Sequence, residues 1–370
     1  MKKRLRVWCV NALLAIGAVV VALGCAEFGL RLFYPQPLGV WHQDRDGLAL
    51  HWPGLVTYLP QFGHVVSINS VGMRDREHAV PKVDGMYRIL ILGDSFMEAL
   101  QLPFEASFPN ILERELAETT RRPVDVVNAS VSGWGTDDEL MYLEKHGVRW
   151  EPDLILIAMT LHNDVNDNLR ERFHRNEHGT LTEGWQRTLS SHEFRLIELK
   201  GFLASRSHAY QLFLRSRRSG ERRVEAEQLN AHVVDLLGPT TSRELARGLE
   251  LTRLLLERIT VIAAQQKAKV AVVLLPLALQ VSGEAPGGPV KQVGTAPGAR
   301  DLDRPQQLLR GVAQRAGVEV IDLLPRFREW TAAGGSSLYL ERDGHWNESG
   351  HRVAAGIVAS ELVRRDYVTR

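Results

Sequence analysis

Apolar residues concentrate in five short, nearly unbroken runs, at 88–93, 124–129, 153–160, 269–276 and 318–325. Runs of this length, rich in Val, Ile and Leu and lacking the alternation of a half-wetted strand, predict strands buried on both faces. Between and after them the period lengthens. "SFPNILERELAETTRR" sets Phe108, Ile111, Leu112 and Leu116 at helical spacing, and "SRELARGLELTRLLLERITVIAAQQK", "DRPQQLLRGVAQRAG" and "NESGHRVAAGIVASELVRR" repeat the pattern. Strand alternating with helix is the signature of an α/β protein built from parallel βαβ units, with helices on both faces of one sheet. Ligands of such sheets meet the loops at the carboxyl ends of the strands.

Another pattern opens the chain. Lys2, Lys3, Arg4 and Arg6 precede an apolar run from Val7 to Ala26 broken only by Asn11, close to the ~20 residues that a membrane-spanning helix needs. Basic residues stay on the cytoplasmic side, so residues 1–35 read as a basic start and single-pass inner-membrane anchor, with the rest extracytoplasmic, in the periplasm of a Gram-negative cell. A cleaved signal peptide is the competing reading, because Gly24-Cys25-Ala26 suits a cleavage site, although signal apolar cores usually span about 7 to 15 residues. Residues 36–87 form an irregular, strand-bearing lead-in, and 88–370 form the α/β domain. Two stretches interrupt that domain: 165–241, charged and helical, reads as an inserted cap, and 281–304 as a Gly/Pro-rich loop. The basic run "RSRRSGERR" within the cap reads as a solvated face, contact with an anionic glycan or membrane surface being the other reading.

Composition narrows the function. The 45 Lys and Arg balance 44 Asp and Glu, so no global charge argues for a nucleic acid partner. Both cysteines, Cys9 and Cys25, fall in the apolar start, which leaves the remainder without disulfides. No Cys/His zinc spacing, Walker loop or dinucleotide Gly-x-Gly-x-x-Gly occurs, and no metal or organic cofactor is implied.

The chemistry sits at strand ends. Run 88–93 meets Gly93-Asp94-Ser95, which places a hydroxyl where a buried strand stops. After the second run, "NASVSGWGTDDE" offers Gly133, able to turn sharply and present a bare N–H. After the third, "TLHNDVNDN" offers the Asn163 amide. Near the last helix, "ERDGHWNESGH" holds Asp343 and His345, with Asn347 as N-cap. An ester-cleaving site needs a nucleophilic hydroxyl, an imidazole base, a carboxylate to orient it and N–H donors for the oxyanion. Any one of these residues alone is more simply a turn, a cap or a packed side chain; together they supply every role. His42, His51, His64, His78, His146 and His162 have no comparable partners and default to structure, as Asp94 does to a turn.

With these blocks in this order, residues 64–365 resemble the SGNH (GDSL-type) serine hydrolases, and "INSVGMRDRE" at 68–77 is similar to the lead-in of membrane-anchored members, several of which act on acyl groups of cell-surface polysaccharides. The resemblance implies a flavodoxin-like three-layer sandwich. It implies Ser95 as nucleophile and first oxyanion N–H, Gly133 as the second, Asn163 as the third, His345 as base and Asp343 as its orienter. It further implies an esterase for small acyl groups on a carbohydrate, with components of polysaccharide synthesis or export as partners. An O-acyltransferase using the same triad and a non-catalytic glycan-binding relative are the alternatives. Two positions depart from the family pattern: Leu161 stands where Gly usually precedes the Asn by two, and Arg342 where Asp usually precedes the His by three. Asp343, two before His345, then takes the carboxylate's place, with Glu341 as the other acidic candidate.

Overall fold

The computed structural model describes residues 2–161, 164–169, 172–184, 189–217, 233–283, 301–341 and 343–369. A long helix α1 (Lys2–Phe33) precedes two antiparallel pairs, β1 (Trp41–Gln43) with β2 (Ala49–His51) and β3 (Val56–Leu59) with β4 (His64–Ser67). The body then runs β5 (Tyr87–Gly93), α2 (Ser95–Glu98), α3 (Phe108–Thr120), β6 (Val124–Ser130), α4 (Thr136–Tyr142), β7 (Leu154–Thr160) and α5 (Asp164–Asp167). A small pair, β8 (Phe173–Arg175) and β9 (Leu181–Glu183), and a helical hairpin, α6 (Ser191–Arg206) and α7 (His208–Arg217), follow within the stretch 165–241. The chain closes with α8 (Arg243–Gln265), β10 (Lys269–Leu275), α9 (Ala278–Ser282), α10 (Arg304–Arg315), β11 (Glu319–Asp322), α11 (Leu324–Ala332) and α12 (Glu348–Arg364).

Five strands form one parallel sheet in the order β11-β10-β7-β5-β6. Taken in chain order this is 2-1-3-4-5, the flavodoxin-like arrangement, whose direction reverses between β5 and β7. All seven residues of β5, β6 and β7 are buried, as their unbroken apolar runs require. Alternate residues serve opposite cores. Ile89, Ile91, Val126, Leu156 and Val273 pack with Phe108 and Leu112 of α3 and Val358 of α12, whereas Leu90, Leu92, Val127, Ile157 and Leu274 pack with Leu255 of α8 and Val312 of α10. Leu161, at the departure from the family pattern, is buried in the second of these cores.

Four of the strand runs and the four helical patterns fall within a residue or two of the observed elements. The fifth run, read to 325, ends as a strand at Asp322, because the Asp322 carboxylate accepts from Leu324 N–H (2.9 Å) and Pro325 opens α11 instead. Helix α4 escapes periodicity because its "TDDEL" segment buries acidic residues along with apolar ones.

A buried charge cluster ties the lead-in to the amino ends of the strands. Arg88 donates to Asp125 (2.7 Å) and to the carbonyls of Trp150 (2.9 Å) and Ala79 (2.8 Å). His78, its ring enclosed, lies 2.8 Å from Asp125 and 3.0 Å from Asp75. Burial alone would lower the His78 pKa, but the two carboxylates outweigh it and raise the ring to about 9. A folded-state value above the unfolded one contributes stability that is complete below pH 6.5 and is lost as pH rises toward about 9. Unfolding free energy should therefore fall across that window by up to about 1.4 kcal/mol per pH unit on account of this one group. Denaturant titrations at several pH values check it: His78→Gln should be less stable at neutral pH and should show a flatter pH dependence than the parent.

Candidate active site

Ser95 is the one partly exposed residue in an otherwise buried stretch from Tyr87 to Leu100. Three local features put it there. Gly93 lets the strand end pass close to its neighbours, since a Cβ at this position would lie 2.9 Å from Met97 Cγ and 3.1 Å from Ala158 Cβ. Asp94 caps the short helix that follows, its carboxylate accepting from Phe96 N–H at 3.0 Å. Arg74, from the "INSVGMRDRE" lead-in, donates to the carbonyls of Glu98, Ala99 and Leu102 and so holds the far end of the turn.

His345 reaches Ser95 from the other end of the chain. Its Nε2 is 2.7 Å from Ser95 Oγ, and its Nδ1 is 2.8 Å from Asp343 Oδ1. The same carboxylate oxygen accepts from His345 N–H (2.9 Å), so Asp343, not Glu341, is the acid on the far nitrogen. The loop is folded for this purpose. Gly344 takes a left-handed φ of 78° and Leu340 N–H donates to the His345 carbonyl (2.8 Å). The next residue, Trp346, is fully buried against Phe96 and Phe327, and Asn347 caps α12 through Gly350 N–H (3.0 Å). With Nδ1–H directed at Asp343, Nε2 is left to accept from the serine hydroxyl.

Gly133 lies in the turn after β6, at φ 81°, with open space where a side chain would project. Val131 N–H donates to the Gly93 carbonyl (3.2 Å), which joins this turn to the end of β5. Asn163 lies outside the described residues, between the end of β7 and α5. Of the five residues proposed from sequence, the fold thus links Ser95, His345 and Asp343 directly and puts Gly133 on the adjoining turn.

Sequence reasoning missed a second layer. Glu98, fully buried at the end of α2, accepts from His51 Nε2 (2.5 Å) and Trp41 Nε1 (2.7 Å) through one oxygen, and from Ser132 N–H (3.2 Å) and its hydroxyl through the other. One carboxylate therefore joins both strands of the first lead-in pair, the serine helix and the Gly133 turn. His51, expected to be merely structural, is part of this brace, and its Nδ1 faces the Gly72 carbonyl at 3.2 Å. The available signal was Glu98 one helical turn after Ser95, on a segment otherwise apolar. Behind the site lie further acids. Burial, reinforced by Asp94, Asp137 and Asp138, pushes the Glu139 carboxyl well above its ordinary range, and burial together with Glu139 and Asp94 does the same to Asp164.

Residues 91–353 match the GDSL-like Lipase/Acylhydrolase family, and the chain belongs to that family. Its parallel sheet and connections are those of the SGNH α/β hydrolase fold. An arylesterase from Vibrio mimicus is 37% identical over 83 residues, a match covering 22% of this chain and 39% of that protein. A lipase/acylhydrolase from Enterococcus faecalis is 14% identical, covering 76% of this chain and 97% of its own, with a TM-score of 0.40. The acetyl xylan esterase AlAXEase is likewise 14% identical, covering 75% and 100%, with a TM-score of 0.39.

The electrostatics of His345 give a direct test. Burial opposes its positive charge, but the Asp343 carboxylate more than compensates and raises the imidazole above its ordinary 6.5. Asp343 is conversely held below its ordinary value by its hydrogen bonds from His345, against the effect of burial. Titration followed by histidine NMR should give a His345 midpoint above 6.5, and Asp343→Asn should move that midpoint downward.

Proposed function

We propose that this protein is a membrane-anchored, extracytoplasmic serine esterase that removes small acyl groups, such as acetyl, from a carbohydrate. The hydrogen-bonded chain Ser95–His345–Asp343 at the carboxyl end of β5 carries the reading, together with membership of an acylhydrolase family. The helix Arg6–Phe33, long and apolar enough to span a membrane or serve as a signal sequence, supports the anchor. The "INSVGMRDRE" resemblance to membrane-anchored members supports the carbohydrate.

In the proposed mechanism Ser95 Oγ attacks the ester carbonyl as His345 Nε2 takes its proton, and Asp343 stabilises the imidazolium that results. The carbonyl π electrons move onto oxygen, which the N–H groups of Ser95 and Gly133 and the Asn163 amide stabilise. Collapse breaks the C–O bond and expels the sugar oxygen, which takes the proton from His345 to leave as a hydroxyl, with the acyl group now on Ser95. Water, deprotonated by the same imidazole, then releases the carboxylic acid and restores the hydroxyl.

Mass spectrometry after brief exposure to an activated acetyl ester should show one acetyl group on Ser95. A folded Ser95→Ala variant should take none and turn over no ester; retention of more than a few per cent of activity by that variant rejects the assignment. Asn163→Ala should lower kcat by about 10²- to 10³-fold if its amide faces the oxyanion, and a near-normal rate would remove it from that role.

A further inference from the structure

The α6–α7 hairpin is fastened to the end of α1. The Glu27 carboxylate accepts from Ser207 Oγ (2.9 Å), His208 N–H (3.0 Å) and Ala209 N–H (2.9 Å), capping the amino end of α7. One turn on, Arg31 donates to the Arg206 carbonyl at the end of α6 (2.7 Å). The attachment has a defined depth. The apolar run Val7–Ala26, at about 1.5 Å rise per residue, spans about 30 Å, the thickness of a bilayer's hydrocarbon core. Glu27 is the next residue, so the hairpin meets α1 where hydrocarbon would give way to headgroups.

The hairpin's outward surface suits that depth. Leu196, Leu199, Phe202 and Leu203 recur at helical spacing as an exposed stripe along α6, and Leu212 and Phe213 are exposed on α7, with Leu199 at 53% and Phe213 at 52% exposure. The opposite side of α6 already has its partners: Gly201 packs on the Trp52 ring, Ser205 is buried, and the Ala204 carbonyl accepts from Gly39 N–H (2.9 Å). Among the described residues the stripe takes no part in a buried core. Arg206 and Arg217 lie over the Phe202 and Phe213 rings at 4.8 and 5.3 Å, cations beside apolar surface as at a lipid headgroup boundary. Residues 191–217 carry five basic side chains against two acidic ones, which favours an anionic bilayer surface.

We infer that the exposed face of the α6–α7 hairpin lies in the outer interface of the same bilayer that α1 crosses, which sets the orientation of the hydrolase body relative to the membrane. The inference rests on the proposed membrane span, and the lipid commitment follows from the hairpin's continuity with it.

The test uses the full-length chain in vesicles of phosphatidylethanolamine and phosphatidylglycerol, with Cys9→Ala and Cys25→Ala removing the native thiols. Single sites Leu199→Cys, Phe213→Cys, Val19→Cys in mid-span and Val261→Cys on the exposed side of α8 would carry an environment-sensitive fluorophore. Doxyl groups at shallow or deep positions on the lipid chains serve as quenchers. Shallow quencher should remove several times more fluorescence at 199 and 213 than at 261, while deep quencher acts at 19. Quenching at 19 with 199 and 213 no different from 261 would overturn the inference and leave the span standing. No quenching at 19 would remove the span and the inference with it. Labels at 199 and 213 shielded from aqueous iodide yet untouched by lipid quenchers would assign the face to a protein partner and likewise overturn the inference.

Discussion

The hydrogen bond between Ser95 Oγ and His345 Nε2 joins residues 250 positions apart, and it holds its 2.7 Å only if the turn at the end of β5 and the loop between α11 and α12 are fixed independently. On the serine side this is done by the close passage at Gly93, the Asp94 cap and the Arg74 clamp. On the histidine side it is done by Asp343 from beneath, buried Trp346 alongside and the Asn347 cap that starts α12. A displacement of about 1 Å at a reacting pair can cost 10²-fold in rate, so much of the surrounding polar structure can be understood as restraint on these two loops.

The Glu98 carboxylate extends that restraint to the Gly133 turn. A buried carboxylate is costly unless its oxygens are hydrogen-bonded, and here Trp41, His51 and Ser132 supply the donors. Two of those three come from the lead-in, a segment whose sequence shows little regular period. Its contribution to the site is accordingly larger than its short strands suggest. At the opposite ends of the strands, Arg88, His78, Asp75 and Asp125 form a separate buried network, so the sheet carries a buried charge cluster at one end and the Ser95–His345 pair at the other.

Contacts also run from α1 toward the serine. Glu27 caps α7, α6 packs on β1, and Trp41 of β1 donates to Glu98 at the end of the serine helix. Each step is a direct contact between neighbouring elements, so the hairpin and the first lead-in pair lie between the apolar helix and the serine helix.

What the sequence by itself determined is local in origin. Five strands and four helices were legible because apolar periodicity records which faces must leave water, although the edge strand β11 is buried only at Ile321 and not on both faces as its run suggests. Ser95 could be picked out because a polar side chain stands at the end of such a run, and Asp343 and His345 because they fall together in the short loop before the last helix. The short α4 and α11 were less legible, since one buries acids and the other hides behind a proline at a strand's end. Only the tertiary structure decided that β5 lies between β6 and β7, that Asp343 rather than Glu341 meets the far nitrogen of His345, and that His51 and Trp41 converge on Glu98. The strand order and the Glu98 contacts join segments tens of residues apart, whereas the choice between Asp343 and Glu341 turns on how one short loop folds. No period or spacing along the chain encodes which distant acceptor a buried donor will find; that is settled when the sheet is assembled and every enclosed polar group must be satisfied by whatever packing brings near.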